Sequence, residues 1–446
     1  MSALEQNYRY LARSALRDHA NGQTLALVSD TSASPANQGQ FLKARALYPD
    51  VTARGLRAVS EIVGSRFYVP PSMLARMLRE ADPVATVSST AVRFEGFSAC
   101  CSAYIRLDLD QNALNTTLRR KGTVNVDFGA EMRSTLAQMS TRNTLDLTIG
   151  ADAVEVARDG QAIVEKKVPL PLRWIKGFAE VQTVMAGMTK AYTLKPMAAQ
   201  RFLRQLPRGK SDYLQWLTLA GDLPRLTMRE VPGAVPLRGA HRLRALEVMA
   251  GLCERLEVYV NRDTGASAWV LELAAQRLCL VLNANPWRGF SGDGGLLSQI
   301  ATSDGSGAAA LRAQLCWQEQ LDEVSLAAAT GLSVRDTRRA MAELAAVGLL
   351  GFDLKENRYF HRVLPFDLER IAAMNPRLNA AQKLLDKGAV QMIGKGAEVR
   401  SAGVIHRVDA HAEGWRCTCP WYAKHAGGRG PCKHVLAVEM QVEQGA

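Results

Sequence analysis

Three cysteines and two histidines fall within the eighteen residues from Cys417 to His434, near the end of a 446-residue chain. They lie in GWRCTCPWYAKHAGGRGPCKHVLAVEM, residues 414–440. Cys417 and Cys419 are one residue apart, so on an extended segment both thiolates face the same side. Pro420 ends that strand, and a Gly-rich excursion at 426–430 returns the chain to Cys432-Lys433-His434. Two positions along a helix differ by about 200°, on opposite faces. Cys432 is therefore expected as the last extended residue and His434 in the first turn of a helix through VLAVEM. Two thiolates from a strand end and a Cys/His pair from a helix start make a closed tetrahedral Cys3His set, the donor chemistry of structural Zn²⁺. Arg416, Lys424, Arg429 and Lys433 are placed to offset the formal −1 of three thiolates and the ion.

His425 is the competing fourth ligand, because it sits in the same loop. His406 and His411 precede the cluster and are expected as exposed strand or turn residues. Four ready ligands and no adjacent carboxylate base point to a structural metal, since a catalytic zinc keeps an open position for water.

This pattern of C-x-C, loop and C-x-H resembles the SWIM zinc finger over about residues 390–442. The resemblance implies a β-hairpin, then the ligands, then a helix, with Ala397–Gly403 and Val404–Asp409 as the hairpin and Trp415 entering the first ligand pair. Carried over position by position, the ligands are Cys417, Cys419, Cys432 and His434. The family is associated with DNA binding and with protein–protein interaction, so the resemblance implies a binding module and no reaction.

A second recognisable order occupies 309–364. AALRAQLCWQ reads as a helix and SLAAATGL as a short second helix from Ser325. Gly331-Leu332-Ser333 makes a turn, and VRDTRRAMAELAAVG follows as a third helix, with Ser333 and Asp336 in capping-box spacing. Leu326, Leu332, Met341, Leu344 and Val347 supply packing positions. LLGFDL and RYFHRV pair across Lys355-Glu356-Asn357 as a hairpin. Helix-turn-helix plus hairpin resembles the winged-helix family. A DNA-reading use would place Arg335, Thr337, Arg338 and Arg339 in a major groove, with Lys355 and Arg358 on phosphates. Charge opposes that use. Residues 305–370 carry 8 basic and 9 acidic groups, whereas phosphate binding needs basic groups clustered on the docking face.

The elements around these motifs bound the rest. Hydrophobic residues are 47% and charged residues 22%, which suits a globular chain of several domains. The net charge is +12; residues 181–304 carry 15 basic and 10 acidic groups, and 371–446 carry 10 and 6. The excess is dilute, with no polybasic tail. Five of the eight cysteines are scattered, unlike a secreted disulfide framework, and Cys100-Cys101 reads as a pair of small packing residues. The first twenty residues contain Glu5 and Asp18 and no apolar core, unlike a secretory signal. WVLELAAQRLCLVLNA is interrupted by Glu272 and Arg277 and is too short to span a bilayer. A cytoplasmic protein with no membrane partner is expected.

Period changes divide the chain into a multidomain α+β protein. Residues 1–84 read as mainly helical, with a loop at 29–40 and an amphipathic helix in YVPPSMLARMLREADP. Residues 85–182 read as an α+β module, where TVNVDF is a strand, AEMRSTLAQM a helix, and TLDLTI, DAVEVA and AIVEKKV an antiparallel meander turning at Asp159-Gly160. Residues 183–304 form a second α+β module, with helices at AAQRFLRQL and AHRLRALEVMAGLCERL and strands LEVYV, AWVLEL and LCLVLNA. Residues 305–370 form the winged-helix-like domain, and 390–446 a small ββα zinc finger. WRGFSGDGGLL at 287–297 lacks the Lys-Ser/Thr of a P-loop and reads as a surface turn.

The stretches RWIKGFAEVQ, GSRFYVPP and WRGFSGDG are similar to longer bacterial SWIM-family proteins, which are often encoded beside MoxR-type AAA ATPases and von Willebrand factor A proteins. That similarity implies protein partners in an ATPase-linked assembly. The expectation is a zinc-containing interaction or adaptor protein. The second reading is a nucleic-acid-binding protein, DNA or RNA, using winged helix and finger together, with Trp421 and Tyr422 for stacking. No HExxH, GxSxG or P-loop occurs, so no catalytic residue is assigned and no enzyme is expected.

Overall fold

The structure is a computed structural model. It describes residues 15–19, 22–26, 39–67, 83–168, 170, 172–290, 306–364, 376–411, 414–425 and 430–444. Residues 29–38 of the loop expected at 29–40, residues 68–82 of the expected amphipathic helix and residues 291–297 of the turn expected at 287–297 lie outside the described residues. The chain divides into two compact units, 1–40 and 41–446. In the first, β1 (Ala15–His19) and β2 (Gly22–Ala26) pair antiparallel.

The second unit begins with β3 (Gln40–Ala46) and α1 (Pro49–Gly64), which has Pro near its start where a missing N–H costs nothing. The region expected to be mainly helical thus contributes three strands among its described residues. Ala, Lys, Arg and Leu are good helix formers, but in QFLKARA their alternation puts Leu42, Ala44 and Ala46 into the core and Lys43 and Arg45 outward. Tertiary packing overrides propensity there.

A meander follows, made of β4 (Val84–Val87), β5 (Ala91–Phe97) and β6 (Ala103–Asp110). Next come β7 (Leu114–Arg119), β8 (Gly122–Asn125) and α2 (Ala130–Ala137). The expected second meander is β9 (Leu145–Gly150), β10 (Ala153–Arg158) and β11 (Gln161–Lys166). Its Asp159-Gly160 turn has φ of 48° and 84°, the left-handed pair that a two-residue hairpin demands. Then come α3 (Leu172–Ala186), β12 (Thr189–Leu194) and α4 (Pro196–Arg204). A small sheet of β13 (Leu214–Ala220), β14 (Leu223–Thr227) and β15 (Val235–Arg238) is followed by β16 (Arg255–Val260), β17 (Ser267–Leu273) and β18 (Gln276–Leu282). The long helix expected at 240–256 is a 3-10 run, Ala240–Met249. Its Arg242 is buried and donates to the carbonyls of Ser102, Arg238 and Asn283, which ties the segment to its neighbours rather than to its own helix.

The sheets do not respect a boundary at 182. The largest has eight strands in the order β12-β16-β17-β18-β6-β5-β4-β8, and β18 pairs with β6 over Gln276↔Leu109 to Leu282↔Ala103. The two stretches expected as separate α+β modules therefore share one sheet. Period-2 patterning specifies which residues face together, but not which distant strand pairs with which. A five-stranded sheet, β11-β10-β9-β3-β7, and the three-stranded β14-β13-β15 complete the body. On one face of β6, Leu107 and Leu109 are buried, and α1 packs on β5 and β6. On the other, Phe97 and Tyr104 meet Phe178 of α3, with Phe97–Phe178 centroids 5.0 Å apart.

Residues 306–364 give α5 (Ser306–Arg312), α6 (Glu323–Thr330), α7 (Val334–Ala346) and the hairpin β19 (Leu350–Asp353) with β20 (Arg358–His361). Asp322 caps α6 through Ser325 N–H, and Ser333 caps α7 through Asp336 N–H at 3.1 Å.

The C-terminal part has its own small core. It contains α8 (Pro376–Asp386), a four-stranded antiparallel sheet of β21 (Val390–Ile393), β22 (Gly396–Ser401), β23 (Val404–His411) and β24 (Gly414–Cys417), then α9 (Pro420–His425) and α10 (Lys433–Gln444). No helix among the described residues is long and apolar enough to cross a membrane.

Candidate metal centre and the basic helix

Each ligand is delivered by the end of an element. The β22–β23 hairpin turns at Ala402-Gly403, with φ of 52° and 80°, and its register runs from Gly396↔Asp409 to Ser401↔Val404. β23 pairs Val408 with Cys417, which fixes the last residue of β24. Pro420 does more than stop the strand. It opens the short helix α9, leaving Cys419 immediately before that helix. Cys432 likewise lies just ahead of α10, and His434 is in its first turn, as the spacing demands.

Sγ of Cys417, Cys419 and Cys432 and a ring nitrogen of His434 all lie within 4.8 Å of one another, and all four residues are buried. His434 Nδ1 stands 3.8 Å from Cys417 Sγ and 3.9 Å from Cys432 Sγ. A tetrahedron with Zn–S of about 2.3 Å and Zn–N of about 2.0 Å has edges of roughly 3.5–3.8 Å, so these donors need only a small contraction to close on an ion. Backbone N–H groups of Cys419, Tyr422 and Val435 point at the sulfurs of Cys417, Cys419 and Cys432, at 3.4, 3.3 and 3.5 Å. Such donors stabilise thiolates.

The three sulfurs cannot all ionise unaided. A hydrogen bond with the Cys417 thiol pulls Cys432 well below the ordinary thiol range against its burial, helped by His434 and the Val435 N–H. The same contact pushes Cys417 up, with burial adding to it, and burial raises Cys419 as well. A bound dication is what lets three neighbouring thiols lose their protons together. Held by these four residues, zinc would cross-link β24, the start of α9 and the start of α10.

His425 is not in the cluster; it ends α9, where its ring meets Trp421 at 4.8 Å. His406, expected as an exposed strand residue, instead lies over the ligand ring of His434, with centroids 4.3 Å apart. Trp421 and Tyr422 are half-buried against the finger core, and Arg377 covers the Trp421 ring at 5.0 Å, so these rings are partly occupied as stacking surfaces. Arg429 lies outside the described residues.

The residues singled out for nucleic acid are mostly committed elsewhere. Arg338 pairs with Glu323 at 2.6 Å, Arg358 with Asp322 at 2.9 Å, Lys355 with Glu272 at 2.7 Å, and Arg339 approaches Glu343 at 3.8 Å. Thr337 is buried, as are Ala340, Met341, Leu344 and Ala345, and α7 packs on α3 and α5. Arg335 is exposed. A helix that enters a groove needs an uncovered face; α7 keeps only its first turn and a half open.

A buried ionic layer, unseen in the sequence, explains how this segment is held. β5 and β6 place Arg93 opposite Asp108 and Glu95 opposite Arg106, all buried on one sheet face. The 306–364 segment closes over them. Arg362 pairs with Glu95, Arg93 with Glu319, and Arg106 donates to the Phe352 carbonyl at 2.7 Å. The Arg93 guanidinium lies 4.1 Å from the Phe360 ring centre. Phe360 crosses flat over Gly351, where any Cβ would overlap the ring. Burial alone would raise Asp353, but Arg106, Arg277 and the Glu356 N–H hold it down at about 2. The available signal was alternation of charged residues in AVRFEGF and YIRLDLD, which normally marks a solvated face; only the covering hairpin makes it a buried one.

With that geometry established, comparison with known proteins is specific at one end of the chain. The SWIM zinc finger family matches residues 406–443. That match and the buried Cys417, Cys419, Cys432 and His434 assign structural zinc as the cofactor. No curated protein sequence matches the chain significantly. Among solved structures, proliferating cellular nuclear antigen from Entamoeba histolytica is similar at 10% identity and a TM-score of 0.35, covering 55% of this chain and 98% of that one. The PCNA2–PCNA3 complex of Sulfolobus tokodaii is similar at 9% identity and a TM-score of 0.38, covering 54% and 98%.

Proposed function

We propose that the chain is a zinc-stapled interaction protein, an adaptor whose finger and winged-helix-like segment present surfaces to other proteins. The pairing of Arg338, Arg358 and Lys355 with Glu323, Asp322 and Glu272 carries this reading. Guanidinium and ammonium groups already neutralised within the protein release few counterions on meeting phosphate. Residues 306–364 then serve as a fixed scaffold bonded to the large sheet, and no catalytic role is assigned to them. The resemblance of RWIKGFAEVQ and its companion stretches supports a bacterial assembly with a MoxR-type ATPase or a von Willebrand factor A protein as partner.

The second reading, nucleic-acid binding through helix and finger, is favoured by the excess of basic groups in residues 371–446 and by exposed Arg335. The deciding experiment is a pull-down of the tagged, zinc-loaded protein from its own cells, split and treated with or without nuclease. Protein partners that survive nuclease, an ATPase among them, support the adaptor. Loss of every partner, with nucleic acid recovered from the untreated half, supports the second reading and overturns the first.

A further inference from the structure

A cleft of about 280 Å³ lies far in sequence from the zinc site, on the three-stranded β14-β13-β15 sheet. Its floor is one sheet face. Trp216 pairs with Pro236 and Leu214 with Arg238, so these side chains stand on the same side, while buried Leu217, Val235 and Leu237 face the core. Arg262, just beyond β16, and Asn285, just beyond β18, form the walls.

The polar groups here are unspent in an unusual way. Arg238 donates to the Asp212 carbonyl at 2.7 Å, and Arg262 to the carbonyls of Ala234 and Gly233 at 2.7 and 3.2 Å. Neither guanidinium meets a carboxylate among the described residues, although each is held in place. Arg238 also rests against the Trp287 ring, 5.1 Å from its centre. Behind them, buried Arg242 likewise bonds only carbonyls, and burial lowers it to about 10. Glu230 is the one acid on the lining, exposed at the rim. Residues 181–304 also hold the largest basic excess of any stretch counted.

We propose that this cleft binds a nucleoside phosphate, either free or as one unit of a single strand. Arg238 and Arg262 take the phosphate, Trp216 and Pro236 the flat base, and the Asn285 amide an edge of that base. Positioned guanidiniums beside an indole face fit such a ligand because phosphate needs fixed donors and every base has a π-face. The proposal goes beyond the adaptor reading and does not depend on it.

The test uses the full zinc-loaded chain at low salt with three probes: AMP and inorganic phosphate by calorimetry, and a labelled oligothymidylate by anisotropy. We expect AMP or the oligonucleotide to bind. Trp216→Ala and Arg238→Ala should each weaken binding by roughly tenfold, whereas Glu230→Gln, at an exposed rim position, should strengthen it. Binding of AMP assigns a free nucleotide; binding of the oligonucleotide alone assigns a strand. If Arg238→Ala melts early, Arg262→Gln replaces it. Failure of both nucleotide probes overturns the proposal, as does binding that Trp216→Ala leaves unchanged or that inorganic phosphate reproduces in full. Cys432→Ser should retain this binding, which separates the cleft from any role of the finger.

Discussion

Arg277 and Asp353 face each other through two parallel hydrogen bonds, 3.2 and 3.0 Å long, across the junction between β18 and the β19–β20 hairpin. The two residues are 76 positions apart. Their pair is the outer member of the layer that also contains Arg93, Glu95, Arg106, Asp108 and Arg362, and it fastens the helical segment to the main sheet.

Removing one partner from such a layer leaves a buried charge unpaired. Asp353→Asn is therefore expected to destabilise the protein by about 3–5 kcal/mol. Chemical denaturation of the variant beside the parent measures it, and hydrogen exchange should locate the loosened region in residues 306–364. A variant as stable as the parent would show that Arg277 finds another carboxylate, such as Glu356.

Loss of the metal should act locally. Cys417→Ser or Cys432→Ser should abolish stoichiometric zinc and unfold residues 376–444, because α8 packs on α10 in a core that the ligands share. The remaining domains keep their own core and should stay folded. Metal analysis with limited proteolysis reads both effects; zinc retained at full stoichiometry would refute the ligand assignment.

His361 should make stability fall toward acid. Its Nδ1 accepts the Trp317 N–H at 2.7 Å, and burial, with Lys121 nearby, depresses it to about 4. The unfolded chain binds a proton near 6.5, the folded one only near 4, so the contribution is complete above 6.5 and lost as pH falls toward 4. His361→Asn keeps an acceptor but does not titrate. Melting temperatures from pH 7 to 4 should decline less steeply in that variant, and an identical slope would exclude His361 as a source.

The paired arginines of the helical segment should matter little. Arg338→Ala and Arg358→Ala remove exposed ion pairs worth about 0.2–1 kcal/mol each. Neither should alter the salt slope of any nucleic-acid binding the protein displays. Anisotropy titrations over a range of salt check this, and a slope reduced by about one per substitution would place α7 and the β19–β20 hairpin on the phosphate backbone.

The sequence by itself determined what is local. The spacing of Cys417, Cys419, Cys432 and His434 specifies which atoms converge, since strand and helix geometry leaves few ways to aim donors two residues apart. Alternation located β9, β10 and β11, short apolar runs located β16–β18, and the Ser333 and Asp336 spacing located the start of α7. Only the tertiary structure decided the rest. It joined β6 to β18 across 165 intervening residues, because pairing partners at that separation leave no mark in either strand. It turned QFLKARA from a helix-forming composition into an inner strand of the five-stranded sheet, and drew Arg242 out of a regular helix by offering it buried carbonyls. It also covered the charges of β5 and β6, since alternating polar residues look the same whether water or another part of the chain lies above them.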